Sequence, residues 1–350
     1  MTGVRATRTP AGNGAADGRV LAGPRRRRGR VTVAALGAVA LLLALVALGL
    51  GDYPLSVPEV VRALLTDQGF ATTIVTGWRL PRVLVALVFG AGLGVSGALF
   101  QSLTRNPLGS PDVIGFSTGS YTGVLVVTTL LGAGTVGVSA GALVAGLATA
   151  LVVYLLAYRD GVQGFRLIVV GIGVTGMLHG LNVWLLLRAQ TEVAMAASIW
   201  GAGSIALTGW EQALPAFVVL AVLTPLVAAV SGPLRQLELG DDAAGAHGLR
   251  VEAARLAVVV LGVALIATVT ATAGPIAFVA LSAPQIARRL AGSPGLPLGA
   301  AALTGAVLLL GADVVAQHVL PTAVPVGVVT VVLGGVYLLV LIVQEARRRW

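Results

Sequence analysis

The sequence predicts an all-α membrane protein of about ten transmembrane helices. Apolar stretches of roughly twenty residues follow one another from Val31 to Val343 with short polar breaks, and each is long enough to cross a hydrocarbon core about 30 Å thick. Of 350 residues, 57% are hydrophobic and 11% charged, more apolar surface than a soluble chain of this size can hide. The runs are continuous rather than alternating, which excludes a barrel, so helices must satisfy the backbone in lipid.

Residues 1–30 hold eight Arg and end in Arg25–Arg28, the pattern of a disordered basic cytoplasmic tail. A cleaved signal peptide is the rival reading, but Val31–Gly51 is too long for its apolar region and no A-x-A site follows. Spans are predicted near 31–51, 83–103, 111–132, 137–157, 167–187, 211–231, 256–273, 275–291, 298–318 and 326–343. The stretch 194–207 is apolar but short and glycine-broken, and is read as an outer re-entrant or interfacial helix. A basic end at 346–350 closes the chain.

Arginine placement orients these spans. With both termini inside, 19 of the 23 basic residues fall on the cytoplasmic side, and only Arg62, Arg79, Arg82 and Arg188 fall outside. Trp78, Trp184, Trp200, Trp210 and Trp350 lie near span ends, as interfacial anchors should. The charge of +9 therefore reads as a topology signal and not as a nucleic-acid footprint. All basic residues are Arg, so the chain carries no P-loop lysine and no Schiff-base lysine. Cys is also absent, which removes disulfides, thiolate nucleophiles and cysteine-ligated metals. No catalytic set and no resident metal or cofactor are expected, and any ATP must be hydrolysed on another polypeptide.

Glycines recur at small-xxx-small spacing in Gly90 and Gly94, in Gly115, Gly119 and Gly123, and in Gly176 and Gly180. They are read as seams where helices approach closely. Two proline-glycine breaks, Asn106–Pro111 and Gly274–Phe278, open spans in the two halves from opposite sides. That is the inverted-repeat arrangement of transporters, although proline at a helix start is ordinary in itself. Asp313 is the one acid deep in an apolar run, with His179 and Asn182 in another. It could serve an ion-coupled carrier, or simply cap a neighbouring helix or accept backbone donors. The connection 232–255 contains a short helix at about 238–249 with an acidic start and a glycine stop, suited to being pushed by a soluble motor. Arg79 and Arg82 stand outside against the general bias, explained by snorkelling or by docking of an acidic partner.

Three runs carry a resemblance to a known family. They are Arg79-Leu80-Pro81-Arg82, then Gly97 through Leu108, then Gly115-Phe116-Ser117-Thr118-Gly119. In the second half, Leu239-Gly240-Asp241-Asp242, Ala273 through Phe278, Ala312-Asp313 and Pro325 through Thr330 agree. Over residues 31–345 the chain resembles the FecCD/BtuC-like permeases, membrane subunits of type II ABC importers for ferric siderophores, haem and cobalamin. Asn106 through Phe116 and the ending Gly334-Gly335-Val336-Tyr337 look most like the FepG-type subunits of ferric enterobactin permeases.

The resemblance implies a ten-helix subunit in a bacterial plasma membrane. It pairs with a second permease subunit, a paralogue, with two ATPases below that hold ATP and Mg, and with an extracytoplasmic siderophore-binding protein above. Arg79 and Arg82 would meet acids of that binding protein. Leu239, Gly240, Asp241, Asp242, Ala244, His247 and Gly248 would couple to the ATPase, with His247 standing where the family usually has Leu. Asn106, Pro107, Leu108, Gly164, Phe165, Gly115, Ser117 and Gly119 would form the cytoplasmic gate and translocation path. Gly164 and Phe165 depart from the small polar pair of some members, and Gln317 replaces a basic residue often found four after Asp313. The expected cargo is a ferric siderophore of catecholate, enterobactin-like type. Cobalamin or haem import by the same architecture and an ion-coupled carrier are the alternatives.

Overall fold

Each predicted span coincides with a helix in the computed structural model, which describes residues 22–132, 135–158, 164–293 and 295–349. α1 (Ala22–Gly49) leads through α2 (Val57–Leu65), a single turn α3 (Phe70–Thr72) and π-helical turns Thr73–Arg79 into α4 (Leu80–Thr104). A 3-10 turn, Pro111–Ile114, opens α5 (Phe116–Val126), which runs on in π turns to Leu131. α6 (Thr135–Ala157), α7 (Gly164–Arg188), α8 (Thr191–Gly201), α9 (Trp210–Glu238) and α10 (Asp241–Ala246) follow. The second half closes with α11 (Val251–Ala273), α12 (Val279–Ala291), α13 (Leu298–Val314, extended in π turns to Val319) and α14 (Val326–Arg349).

Among the described residues, seven helices are long and apolar enough to cross a membrane, with shorter apolar helices at Phe116–Leu131 and Val326–Val340. α12 makes the tenth, and it is the exception. Its 13 helical residues rise only about 20 Å. The preceding Gly274 and Phe278 hold φ of 72° and 68°, and Pro275 has no N–H to give, so residues 274–278 cannot be helical. The expected span 275–291 therefore loses its first four residues to the break. The first half carries a matching break, where Gly115 at φ 76° directly precedes α5.

Contacts at the two ends fix the alternation. The start of α4 meets the end of α13, where Arg82 binds Asp313, and the end of α1, where Arg79 donates to Leu48 O. The end of α4 meets the end of α9 and the start of α10, while Arg28 near the start of α1 donates to Leu290 O at the end of α12. Successive long helices thus run in opposite directions, and the breaks before α5 and α12 open from opposite ends.

Several boundaries differ from the sequence expectation. Residues 22–30 are not a loose tail but the first turns of α1, where Arg28 also donates to Arg289 O. Residues 346–349 likewise continue α14. α9 extends to Glu238, so the helix expected at 238–249 shrinks to six residues. Gly240 at φ 116° is the reason, because it turns the chain sharply between the two helices. α2 and α3 were not foreseen. Ser56 caps α2, with its N–H and hydroxyl both donating to Glu59. Residues 1–21, Arg159 and Trp350, which entered the tail and topology arguments, lie outside the described residues.

The core centres on α4. A Cβ on Gly90 would overlap Gly305 O, one on Gly94 would overlap Ala301 O, and one on Gly97 would overlap Ala280 O. Backbone thus packs on backbone along α4, α12 and α13, the contact that small residues permit in a membrane. The Gly115, Gly119 and Gly123 seam behaves likewise: Gly119 abuts Thr149, and Gly123 abuts Gly141 and Ala145. Gly176 and Gly180 do not follow, since neither has an atom within 4 Å of its Cβ position. Gly97→Leu is expected to cost about 3 kcal/mol through overpacking, seen as loss of monodisperse protein and a large fall in apparent Tm in detergent. Gly173→Ala, at a position open within 4 Å, should leave both unchanged.

Candidate functional site

α4 ends at Thr104, and Arg105 takes a left-handed conformation at φ 50° that turns the chain into the Asn106-Pro107-Leu108 loop. Asn106 Oδ1 accepts from Leu108 N at 2.9 Å, and Gly109 N donates to Asn106 O at 2.9 Å, which closes a tight Asx turn. Pro107 O accepts from Gln285 Nε2 at 3.2 Å. That same Nε2 donates to Gln101 Oε1 at 2.6 Å, and Gln101 Nε2 donates to Leu281 O at 2.8 Å. Two glutamines buried to 3% and 4% exposure therefore join the loop after α4 to α12, the helix behind the second break. The sequence reading, which followed only Asp313, His179 and Asn182 inside the spans, passed over this pair. A polar amide in an apolar run was the available signal.

Arg105 also reaches the short helix α10. Its Nη2 donates to Asp241 Oδ1 at 2.6 Å and to Leu237 O at 3.0 Å. The other oxygen, Asp241 Oδ2, accepts from Arg255 Nη2 at 2.8 Å, and Arg255 Nη1 donates to Glu252 at 3.0 Å. One carboxylate thus bridges the end of α4 and the start of α11. Burial pushes the Asp241 carboxyl up, but Arg255 and Arg105 outweigh it and hold it below the ordinary carboxylate value. Beside it, Ser102 Oγ donates to Glu238 Oε1.

Of the residues assigned to coupling, Asp241 and the fully buried Ala244 face the body of the protein. Leu239, Asp242, His247 and Gly248 remain exposed, with His247 Nδ1 2.7 Å from Ala243 O. Gly240 supplies the turn.

The proposed path residues divide in the same way. Leu108 is half exposed and Phe165 is 80% exposed, while Gly164 packs its backbone against Thr104. Gly115 is buried against Thr175 and Thr149, Gly119 is buried against Thr149, and Ser117 Oγ donates to Asp112. These three, expected to line the path, make packing contacts around the first break, with Ser117 partly exposed. The open face belongs to α7, where Ile172, Met177 and His179 are exposed and Gly173, Gly176 and Gly180 have no neighbour within 4 Å. Asn182 points the other way, buried toward α5.

At the opposite end, the two arginines read as a docking pair are taken by the chain itself. Arg79 donates to Leu48 O at 2.8 Å and to Tyr53 O at 2.7 Å. Arg82 grips Asp313 with two parallel bonds of 2.9 and 2.8 Å, the side chains 21% and 9% exposed. Asp313 thus neither caps a helix nor stands free as a relay; its partner is a guanidinium. Gln317 donates to Val324 O at 3.0 Å. A cavity of about 430 Å³ opens beside this pair, lined also by Asp52, Trp78 and His318. Among the described residues, no cluster of His, Cys, Asp or Glu could hold a metal ion.

The FecCD transport family matches residues 39–344. The ferric enterobactin transport system permease protein FepG of Escherichia coli K12 is 50% identical over 301 residues, 85% of this chain and 91% of that one. The achromobactin transport system permease protein CbrC of Dickeya dadantii is 35% identical over 324 residues, 91% of this chain and 92% of that one. A solved inward-facing metal-chelate type ABC transporter superposes with a TM-score of 0.80 at 29% identity, covering 89% of this chain and 98% of that one.

Removing one partner of a buried ion pair strands the other charge, so Asp313→Ala is expected to destabilise by about 3 kcal/mol. Replacing both, as Arg82→Met with Asp313→Leu, should recover most of that loss in apparent Tm. A lowered carboxyl stabilises the fold above its unfolded value, 3.8, and loses that contribution as pH falls through the still lower folded value. Acid unfolding of Asp241→Asn, followed by fluorescence, should accordingly be less steep below pH 3.8 than that of the parent.

Proposed function

Because the chain belongs to the FecCD transport family, we propose that it is one permease subunit of an ATP-driven importer carrying a ferric siderophore of catecholate, enterobactin-like type. The cargo rests on the 50% identity to the ferric enterobactin permease FepG. The observation that carries the mechanism is the Asp241 carboxylate, which ties α10 to Arg105 at the head of the Asn106-Pro107-Leu108 loop.

In this reading the basic end is cytoplasmic, with both termini inside, as the arginine bias requires. A separate ATPase holds ATP and Mg and presses on the exposed side of α10 at Leu239, Asp242 and His247. The push passes through Asp241 to Arg105 and Arg255, and from Pro107 through Gln285 to α12. The loop beside Leu108 and the α7 start at Phe165 then move as one gate. ATP binding and release differentially stabilise the open and closed arrangements, which is all that a coupled shift requires.

The exposed face of α7 is half of a path, completed by a second permease subunit, a paralogue. Its glycines have no neighbour within this chain because that neighbour lies on the other subunit. A binding protein docks at the opposite end, over the cavity beside Arg79 and Arg82, where its acids must compete with Asp313 for Arg82. An ion-coupled carrier loses support, since Asp313 is already neutralised by that arginine.

The test uses the whole importer in proteoliposomes with binding protein loaded with ferric enterobactin. Loss of a charge-assisted bond worth about 1.5–3 kcal/mol should make Arg105→Gln take up cargo roughly tenfold more slowly while ATP hydrolysis continues. Uptake at the parental rate, or uptake by this chain without its ATPase, would overturn the assignment.

A further inference from the structure

At the basic end, two cavities follow one another between α1 and α9 above α4, each touching α1, α9 and α13. The outer one is a cavity of about 900 Å³ that includes Arg30 of α1 and Arg235 of α9. One helical turn deeper, a second cavity of about 460 Å³ is lined almost wholly by apolar atoms. The two follow each other on every wall: Val33 to Gly37 on α1, Ala228 to Thr224 on α9, and Gly299 to Ala302 on α13. Small residues on the floor leave the trough open.

Chemistry changes along the trough in the order of a lipid. Arg30 and Arg235 at the mouth have, among the described residues, no ion-pair partner and no side-chain hydrogen bond. Arg28, by contrast, is spent on Leu290 O and Arg289 O, which anchors α1 so that Arg30 sits at the mouth. The one acid there, Glu238, already accepts from Ser102, leaving two cations against one carboxylate. From Arg30 to Ala40 the helix rises about 15 Å, half of a hydrocarbon core of about 30 Å. The trough is therefore one leaflet deep, charged at the surface and greasy below.

We propose that this groove is a binding site for one anionic phospholipid, its phosphate between Arg30 and Arg235 and its acyl chains along α1, α9 and α13. Juxtamembrane cations attract anionic headgroups, and pockets between helices on the cytoplasmic side add shape to that attraction. The site depends on the chain lying in a bilayer and not on the identity of the cargo.

A phosphatidylglycerol probe with a photoreactive diazirine in its acyl chain tests it, using the full chain in its assembled importer and peptide mapping by mass spectrometry. Labelling is expected on α1 between residues 37 and 44 and on the facing turns of α9 and α13. Unlabelled phosphatidylglycerol should suppress it, whereas phosphatidylcholine and free glycerol phosphate should not. Arg30→Gln with Arg235→Gln should lower labelling roughly tenfold. Gly37→Phe, at a position with no atom within 4 Å, should block it sterically with both arginines present, which keeps the test valid if the double variant folds poorly. Equal competition by phosphatidylcholine, labelling elsewhere, or full labelling of Gly37→Phe each overturns the site.

Discussion

The structure depends on how closely backbones can approach along α4. In lipid there is no water to drive apolar side chains together, so helices associate through contact area and short separation. Gly90, Gly94 and Gly97 bring α4 against the backbones of α13 and α12, with no room for a Cβ at any of the three. These positions join a helix of the first half to two helices of the second. The two halves of the chain are therefore one body, and α4 is its axis.

Both polar clusters hang from the ends of that axis. At one end Arg79 and Arg82 fasten α4 to α1 and α13. At the other, Gln101 and Arg105 fasten it to α12, α10 and α11 through Gln285, Asp241 and Arg255. The first cluster is a buried bidentate pair whose rupture is costly. The second combines buried amides at Gln101 and Gln285 with a half-exposed ion pair between Arg105 and Asp241, and is built from separable bonds. Under the proposed coupling, a rigid centre with one locked end and one adjustable end would let motion at α10 reach the Asn106-Pro107-Leu108 loop without disturbing the core.

What α4 does not hold is equally informative. α7 contributes little to the interior and keeps its glycine face open, in contrast to the equally glycine-rich α4 and α5. The same residue pattern thus serves as an internal seam in two helices and as an open surface in a third. Within this chain that third surface has no neighbour, which is why the proposed function gives it to a second subunit.

The apolar run lengths, the ten spans and their alternation were legible in the sequence because each depends on residues close along the chain. So were the two helix breaks, since Gly115 and Gly274-Pro275 act through their own φ and missing donors. The absence of Lys and Cys excluded whole chemistries without any structure. The tertiary structure alone decided the partners. Arg82 and Asp313 lie 231 residues apart and Gln101 and Gln285 lie 184 apart, and no local period brings such pairs together. Two arginines read as snorkelling or docking residues have partners within the chain, and Gly115, Ser117 and Gly119 make packing contacts that their spacing did not reveal. Which face of a helix meets a neighbour is settled by the whole set of helices at once, and the spacing of residues in one of them cannot say.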